Sequence, residues 1–199
     1  MELNKEVQVL KNKIFYIKDF LFSETCDLLV STFSGNHLVE SDQPGIFASL
    51  GSGKGEHESF DISGLQKVSN RYPDKDINIG IDIFTGLLTN IEKTASNLFN
   101  KNLMLKSYFY SHMKSGGKNS LHVDNYDEKH SKDYSVILYL TNSYSGGNVV
   151  FPKQELTIKP DPGTLIAFVG SEDIPHEVEE VIDGDRVNII CFLHERRDR

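Results

Sequence analysis

The chain has 199 residues, of which 38% are hydrophobic and 25% charged, a make-up that suits one globular domain with a sizeable core. Its formal net charge of −8 argues against a nucleic-acid polyanion as the main partner. No apolar run nears the roughly 18 residues of a membrane helix, and residues 1–13 lack a continuous signal-peptide core. No membrane association and a cytoplasmic location are therefore expected, and composition leaves the oligomeric state open.

The first predicted element is a helix. Ser23 precedes apolar residues at Cys26, Leu28, Leu29, Val30 and Phe33, and suits the N-cap of a helix of about three turns. From Ser34 to Asn78 the pattern weakens and glycines at 45, 51, 53, 55 and 64 punctuate it. This reads as a long irregular segment, a type that often serves as a lid or binding loop. Helical spacing returns over 79–100, with Ile81, Ile83, Phe84, Leu87, Leu88, Ile91, Ala95, Leu98 and Phe99.

The second half differs. Apolar or aromatic stretches recur at 103–113, 134–140, 149–151, 156–158, 164–169, 178–182 and 187–193. Turn signals separate them at Gly116-Gly117, 142–148, 160–163 and Asp183-Gly184. Many short strands at this spacing imply a β-sandwich or barrel. The expectation is one domain over 1–199, with helical support in 1–100 and a β core in 101–195. The two cysteines, Cys26 and Cys191, form no CxxC motif and no zinc-ligand spacing, so both read as buried thiols.

Chemistry concentrates at His122-Val123-Asp124, His176 and Arg186. Two residues apart on a strand, His122 and Asp124 would share a face and reach one ion. His176, after the segment Ser171-Glu172-Asp173-Ile174-Pro175, would complete a set of two imidazoles and one carboxylate. That set leaves coordination positions open and suits non-haem Fe(II) in an oxygenase. Arg186, ten residues after His176, would supply a fixed cationic fork for a carboxylate. Of the five other histidines, His37, His57, His130 and His194 belong to no such constellation.

With these residues in place the sequence resembles a known family, the 2-oxoglutarate- and Fe(II)-dependent dioxygenases of the prolyl 4-hydroxylase type. The likeness runs from about Leu103 to Leu193. It rests on Leu121-His122-Val123-Asp124-Asn125, Val136-Ile137-Leu138-Tyr139-Leu140-Thr141-Asn142, Ser145-Gly146-Gly147-Asn148-Val149-Val150-Phe151-Pro152, and Ile158-Lys159-Pro160 with Gly163-Thr164-Leu165-Ile166-Ala167-Phe168. Phe20-Leu21-Phe22-Ser23-Glu24-Thr25-Cys26 also resembles the start of the family domain. The resemblance implies a double-stranded β-helix (a jelly roll, cupin-like), mainly β with supporting helices on one sheet. It implies His122, Asp124 and His176 as Fe(II) ligands and Arg186 on the distal carboxylate of 2-oxoglutarate. It further implies O2 as co-reactant, succinate and CO2 as products, and ascorbate as an accessory reductant. Tyr139 matches a cosubstrate-contacting tyrosine of the oxygen-sensing branch.

Departures from the family pattern are informative. Arg186 stands where many prolyl 4-hydroxylases have lysine. Val149 stands where a threonine is common, which removes one polar contact. Many members carry a tyrosine nine or ten residues before the first histidine; here those places hold Met113 and His112. The nearest tyrosine is Tyr110, carried as a third cosubstrate contact. A nucleic-acid demethylase would usually have a second arginine six residues after the first, where Phe192 stands.

One local signal conflicts with this arrangement. A two-residue hairpin at Asp183-Gly184 would turn Arg186 away from His176. Either the loop has three residues or the flanking strands lie in opposite sheets, and the resemblance favours the second. The substrate expected first is a prolyl residue of a protein or peptide. The alternatives are a free amino acid or small metabolite, and a non-catalytic jelly-roll metal-binding protein. The charged run at 125–133, directly after two ligands, and the 34–78 segment are candidate substrate-facing loops.

Overall fold

The computed structural model describes residues 6–33, 46–50, 56–60, 75–124 and 134–196. Strands β1 (Val7–Val9) and β2 (Phe15–Ile17) precede helix α1 (Ser23–Phe33). Strands β3 (Ile46–Leu50) and β4 (Glu56–Phe60) and helix α2 (Lys75–Phe99) come next. Ten strands follow: β5 (Leu103–Met113), β6 (Asn119–His122), β7 (Tyr134–Tyr139), β8 (Tyr144–Gly146), β9 (Val149–Phe151), β10 (Leu156–Ile158), β11 (Leu165–Val169), β12 (His176–Val178), β13 (Val181–Gly184) and β14 (Arg186–Glu195).

The strands pair antiparallel in an eight-stranded sheet of order β1-β2-β11-β7-β14-β5-β4-β3. A four-stranded sheet β10-β9-β12-β6 and the pair β13-β8 form the opposing layer. This is the expected jelly roll with helices on one side of the large sheet.

Strand alternation divides the interior in two. Val187, Ile189, Cys191 and Leu193 of β14, with Val136 and Leu138 of β7 and Leu165 and Ala167 of β11, face the helices. Helix α1 meets them with Cys26, Leu29 and Phe33, and α2 with Phe84, Leu87, Leu88, Ile91 and Ala95. Those spacings of three, four and seven make one apolar stripe per helix. Phe33 joins the layers, with ring centroids 5.6 Å from Phe84 and 5.3 Å from Tyr110. The alternate residues Ile137, Tyr139, Ile166 and Phe168 point into the jelly roll and pack with Val149, Phe151 and Ile174.

Gly163 closes the motif between β10 and β11 against α1. Its φ is +79°, and a Cβ there would sit 2.1 Å from the Leu21 carbonyl oxygen, so no other residue fits. Its backbone bonds bracket the site strand: Gly163 N–H donates to Tyr139 O at 2.8 Å, while Leu21 N–H donates to Gly163 O at 3.1 Å.

Several expectations change here. Ser23 is the first residue of α1 and not its cap; the Phe22 carbonyl accepts from Thr25 and Cys26, and the Ser23 hydroxyl bonds Glu24 at 3.3 Å. The segment read as irregular contains β3 and β4, which pair with each other and extend the large sheet beyond β5; its other residues lie outside the described ones, as does the charged run 125–133. The first hundred residues thus supply four strands as well as the helices. The stretch 178–182 is divided between β12 and β13. Asp183-Gly184 makes no hairpin: β13 pairs with β8, and β14 crosses to the large sheet. Both cysteines are free and buried. Among the described residues no helix is long and apolar enough to cross a membrane.

Candidate metal centre and anion pocket

His122 ends β6 and His176 opens β12, and the two are direct partners in the ladder. Their rings therefore stand side by side, with centroids 4.4 Å apart. Asp124 lies beyond the end of β6, so a bend after the strand, and not strand alternation, brings it round. One donor atom from each of His122, Asp124 and His176 lies within 4.8 Å of the others. Asp124 and His176 are buried and His122 is half-buried.

The imidazoles are oriented from behind. Nδ1 of His122 lies 2.7 Å from the Ser120 carbonyl, and Nδ1 of His176 lies 3.3 Å from that of Ile174. A carbonyl only accepts, so the ring proton sits on Nδ1 and the Nε2 lone pair faces inward. The Nε2 atoms are 3.5 and 3.7 Å from the Asp124 carboxylate. The Ser135 hydroxyl, from the large sheet, donates to Asp124 Oδ2. Burial pushes the Asp124 carboxyl up, but the neighbouring His122 and His176 rings and the Ser135 hydroxyl outweigh it and hold the group below its ordinary value. Burial holds the His176 imidazole down against the pull of Asp124, and His122 adds to the fall. An ionised carboxylate with a neutral imidazole is the state a divalent cation requires. The donor set and its convergence fit Fe(II) with open positions.

Arg186 starts β14 and is 2% exposed. Nε donates to Gly147 O at 3.0 Å, one terminal nitrogen to Asn188 Oδ1 at 2.9 Å, and the other to the Tyr139 hydroxyl at 3.3 Å. The guanidinium carbon lies 5.2 Å from the Tyr139 ring centre. Among the described residues none of its bonds is to a carboxylate. A buried cation without a counter-charge is strongly disfavoured, which marks a place prepared for an anion. Burial pushes Tyr139 up to about 12 against the opposing Arg186 charge, so its hydroxyl keeps its proton.

The Gly-Gly motif is part of this pocket. At Gly147, φ is +61°, and a Cβ would lie 3.2 Å from Arg186 Cδ, 3.2 Å from Tyr144 Cε2 and 3.0 Å from Val181 Cγ2. The bare backbone lets the Gly147 carbonyl reach Arg186. Tyr139, which touches Arg186, packs in one cluster with Phe151 and Phe168. Those two rings lie 5.7 and 4.7 Å from His176. The triad and the cationic pocket thus open on one interior.

Tyr110 does not join them. It pairs with Ile189 across β5 and β14 and is buried among the helix-facing residues. The expected contact from Tyr110 is corrected on that ground. Met113 pairs with Arg186 and points inward, with Tyr144, Val178 and Val181. Val149 is buried in the inner cluster. Sequence reasoning missed Ser135 and Tyr144. Ser135 was detectable, because alternation along 134–140 places its hydroxyl on the face of Ile137 and Tyr139.

Comparison with known proteins agrees with the geometry. Residues 107–194, within the strand-rich half of the chain, match the model of the 2OG-Fe(II) oxygenase superfamily. A viral collagen prolyl hydroxylase from Paramecium Bursaria Chlorella virus-1, solved as a 2OG complex, aligns with TM-score 0.58 and 18% identity over 94% of this chain and 98% of that one. A Trichoplax adhaerens prolyl hydroxylase in complex with a hypoxia inducible factor peptide fragment aligns with TM-score 0.68 and 19% identity over 93% of this chain and 84% of that one. A Pseudomonas putida prolyl-4-hydroxylase gives TM-score 0.56 and 15% identity over 94% and 95%. At these identities the likeness is one of fold. Prolyl 3-hydroxylase 1 of human and of rat is 32% identical over 78 residues, 34% of this chain. The chain spans 11% of the length of those curated relatives.

Proposed function

We propose that this chain is an Fe(II)- and 2-oxoglutarate-dependent dioxygenase that hydroxylates an unactivated C–H bond, in a prolyl residue of a protein or peptide. One observation carries the reading: one interior holds two inward-facing imidazoles and a carboxylate, together with a buried guanidinium whose hydrogen bonds, among the described residues, reach no carboxylate. In this reading His122, Asp124 and His176 hold the iron, and Arg186 and Tyr139 bind the distal carboxylate of 2-oxoglutarate. The iron, when bound, supplies O2 activation coupled to decarboxylation of the cosubstrate to succinate and CO2.

The residues of the chain do the rest. Ser120 and Ile174 carbonyls fix the histidine rings, and Ser135 fixes Asp124. Phe151 and Phe168 keep the His176 side of the site apolar, which excludes water from the reacting centre. Arg186 sets the reach of the cosubstrate by anchoring its far end. The prolyl hydroxylase relatives, one of them solved with a peptide, support the substrate class.

The test is incubation of proline-containing peptides and free amino acids with the protein, Fe(II), ascorbate and 2-oxoglutarate. Succinate release and a one-oxygen mass gain on a prolyl residue are expected from wild type, and neither from Asp124→Ala. Asp124→Ala is also expected to lose more metal affinity than the 10–100-fold typical of a lost supporting partner. Oxygen transfer to a free amino acid alone would replace the peptide substrate; equal metal affinity in both proteins would remove the iron assignment.

A further inference from the structure

Tyr144 opens β8 and is 5% exposed; its buried hydroxyl lies under the influence of the Arg186 guanidinium, which can only donate, and among the described residues its own proton has no acceptor. Asn188 is fully buried on the inner face of β14, and its Nδ2 also has no hydrogen-bond partner among the described residues. The Asn188 amide cannot be reversed to relieve this, because Arg186 donates to its oxygen and a guanidinium accepts nothing. Orphaned groups of this kind are rare because each gives up its hydration without return. Both surround the same cation. Asn188 is bonded to Arg186, and the Tyr144 ring edge and the Arg186 chain flank the same point at Gly147.

The pocket therefore holds a buried positive charge and two unused donors. Its acceptors, Gly147 O, Asn188 Oδ1 and the Tyr139 oxygen, are already engaged by Arg186. An acceptor-only anion is the complement to such a pocket. Tyr144 is also fixed in place. Lys159 Nζ donates to its carbonyl at 2.5 Å and stands 4.8 Å over its ring, and Met113, Val178 and Val181 pack around it. The ring is pre-set for a ligand that the protein alone does not supply.

We propose that the Tyr144 hydroxyl and the Asn188 amide are donors to the distal carboxylate of 2-oxoglutarate and complete the site begun by Arg186 and Tyr139. This rests on the dioxygenase reading above. It makes the pocket selective for a dicarboxylic keto acid, because four donor groups must be satisfied at its far end.

Calorimetry on the protein loaded with Mn(II), a non-turning stand-in for Fe(II), tests it with two keto acids. One is 2-oxoglutarate; the other, 2-oxopentanoate, has the same keto-acid head but a methyl group in place of the distal carboxylate. Tyr144→Phe is expected to weaken 2-oxoglutarate about tenfold or more and to leave 2-oxopentanoate unchanged. Its ligand-free Tm should stay close to that of wild type, because the deleted hydroxyl donates no hydrogen bond among the described residues. Asn188→Asp should likewise weaken 2-oxoglutarate alone and raise the ligand-free Tm, by giving Arg186 an internal counter-ion. Unchanged 2-oxoglutarate affinity in Tyr144→Phe, or equal losses for both keto acids, would overturn the proposal while leaving the dioxygenase reading intact. Wild-type protein that binds neither keto acid would overturn both.

Discussion

The large sheet has a dry face and a chemical face, and β14 contributes to both. Toward the helices it presents Val187, Ile189, Cys191 and Leu193, all buried in a wholly apolar cluster. Toward the jelly-roll interior the same strand presents Arg186 and Asn188, equally buried but polar. Because the side-chain period is two, one strand serves both ends without compromise, and a one-residue slip would exchange them. The dry face gains its stability from burial of the two helices. The inner face gives up some stability by holding a charge without a carboxylate partner and two donors without acceptors among the described residues. The cysteines follow the same division. Both lie on the dry face, where burial pushes the Cys26 thiol up to about 11 and Cys191 further, so neither carries reactive thiolate.

Removing the charge from the chemical face should have the largest effect. Breaking a buried charge pair from one side costs about 3–5 kcal/mol, so Arg186→Leu is expected to weaken 2-oxoglutarate by roughly two to three decades. Arg186→Lys should recover part of this, since the charge survives and the fork is lost. Metal affinity should stay the same in both. Equal 2-oxoglutarate affinity in Arg186→Leu would break the division by taking the ligand away from the inner face. The mirror experiment is on the dry face. Phe33→Ala removes a fully buried ring between α1, α2 and β5 and should lower stability by about 3–5 kcal/mol. Its 2-oxoglutarate affinity per folded molecule should not move. A drop in that affinity would mean that helix packing sets the shape of the pocket, and the two faces would no longer be independent.

The candidate site residues were legible because the pattern is carried by residue type and order: His122, Asp124, His176 and Arg186 are read without knowing any pairing. How they meet was not legible. His122 and His176 converge through a ladder contact between strands far apart in sequence, and Asp124 comes round in a bend that strand alternation does not describe. The longer β5, β7 and β14 were readable from sustained apolar pattern. The short β1 and β2 were not, since three residues each carry no period, and Val7 and Val9 of β1 are exposed. Glycines at 51, 53 and 55 masked β3 and β4 by making one long loop of the whole segment. Tyr144 was hidden inside the turn signals at 142–148. Its proposed role needs the three-dimensional fact that β8 lies against β13 and brings the ring beside Arg186.

The smallest expected effect is the sharpest test, because it compares two tyrosines that are both fully buried in the same sheet. Tyr139 faces inward and accepts a hydrogen bond from Arg186, with its own proton left to donate. Tyr110 faces the helices, opposite Ile189 and against Phe33. By sequence position Tyr110 is the nearest tyrosine upstream of His122, yet it is out of phase with the inward positions: Met113 pairs with Arg186 and Ser111 with Asn188. A hydrogen bond to a charged group contributes about 1.5–3 kcal/mol, so Tyr139→Phe should weaken 2-oxoglutarate roughly ten- to a hundredfold. Tyr110→Phe should leave that affinity as in wild type. Any cost of losing the Tyr110 hydroxyl should appear as the same fall in Tm with and without cosubstrate, whereas Tyr139→Phe should lose part of the cosubstrate-induced rise in Tm. Weaker 2-oxoglutarate binding in Tyr110→Phe at unchanged Tm would place Tyr110 in the pocket and invalidate the assignment of faces on which the site is built.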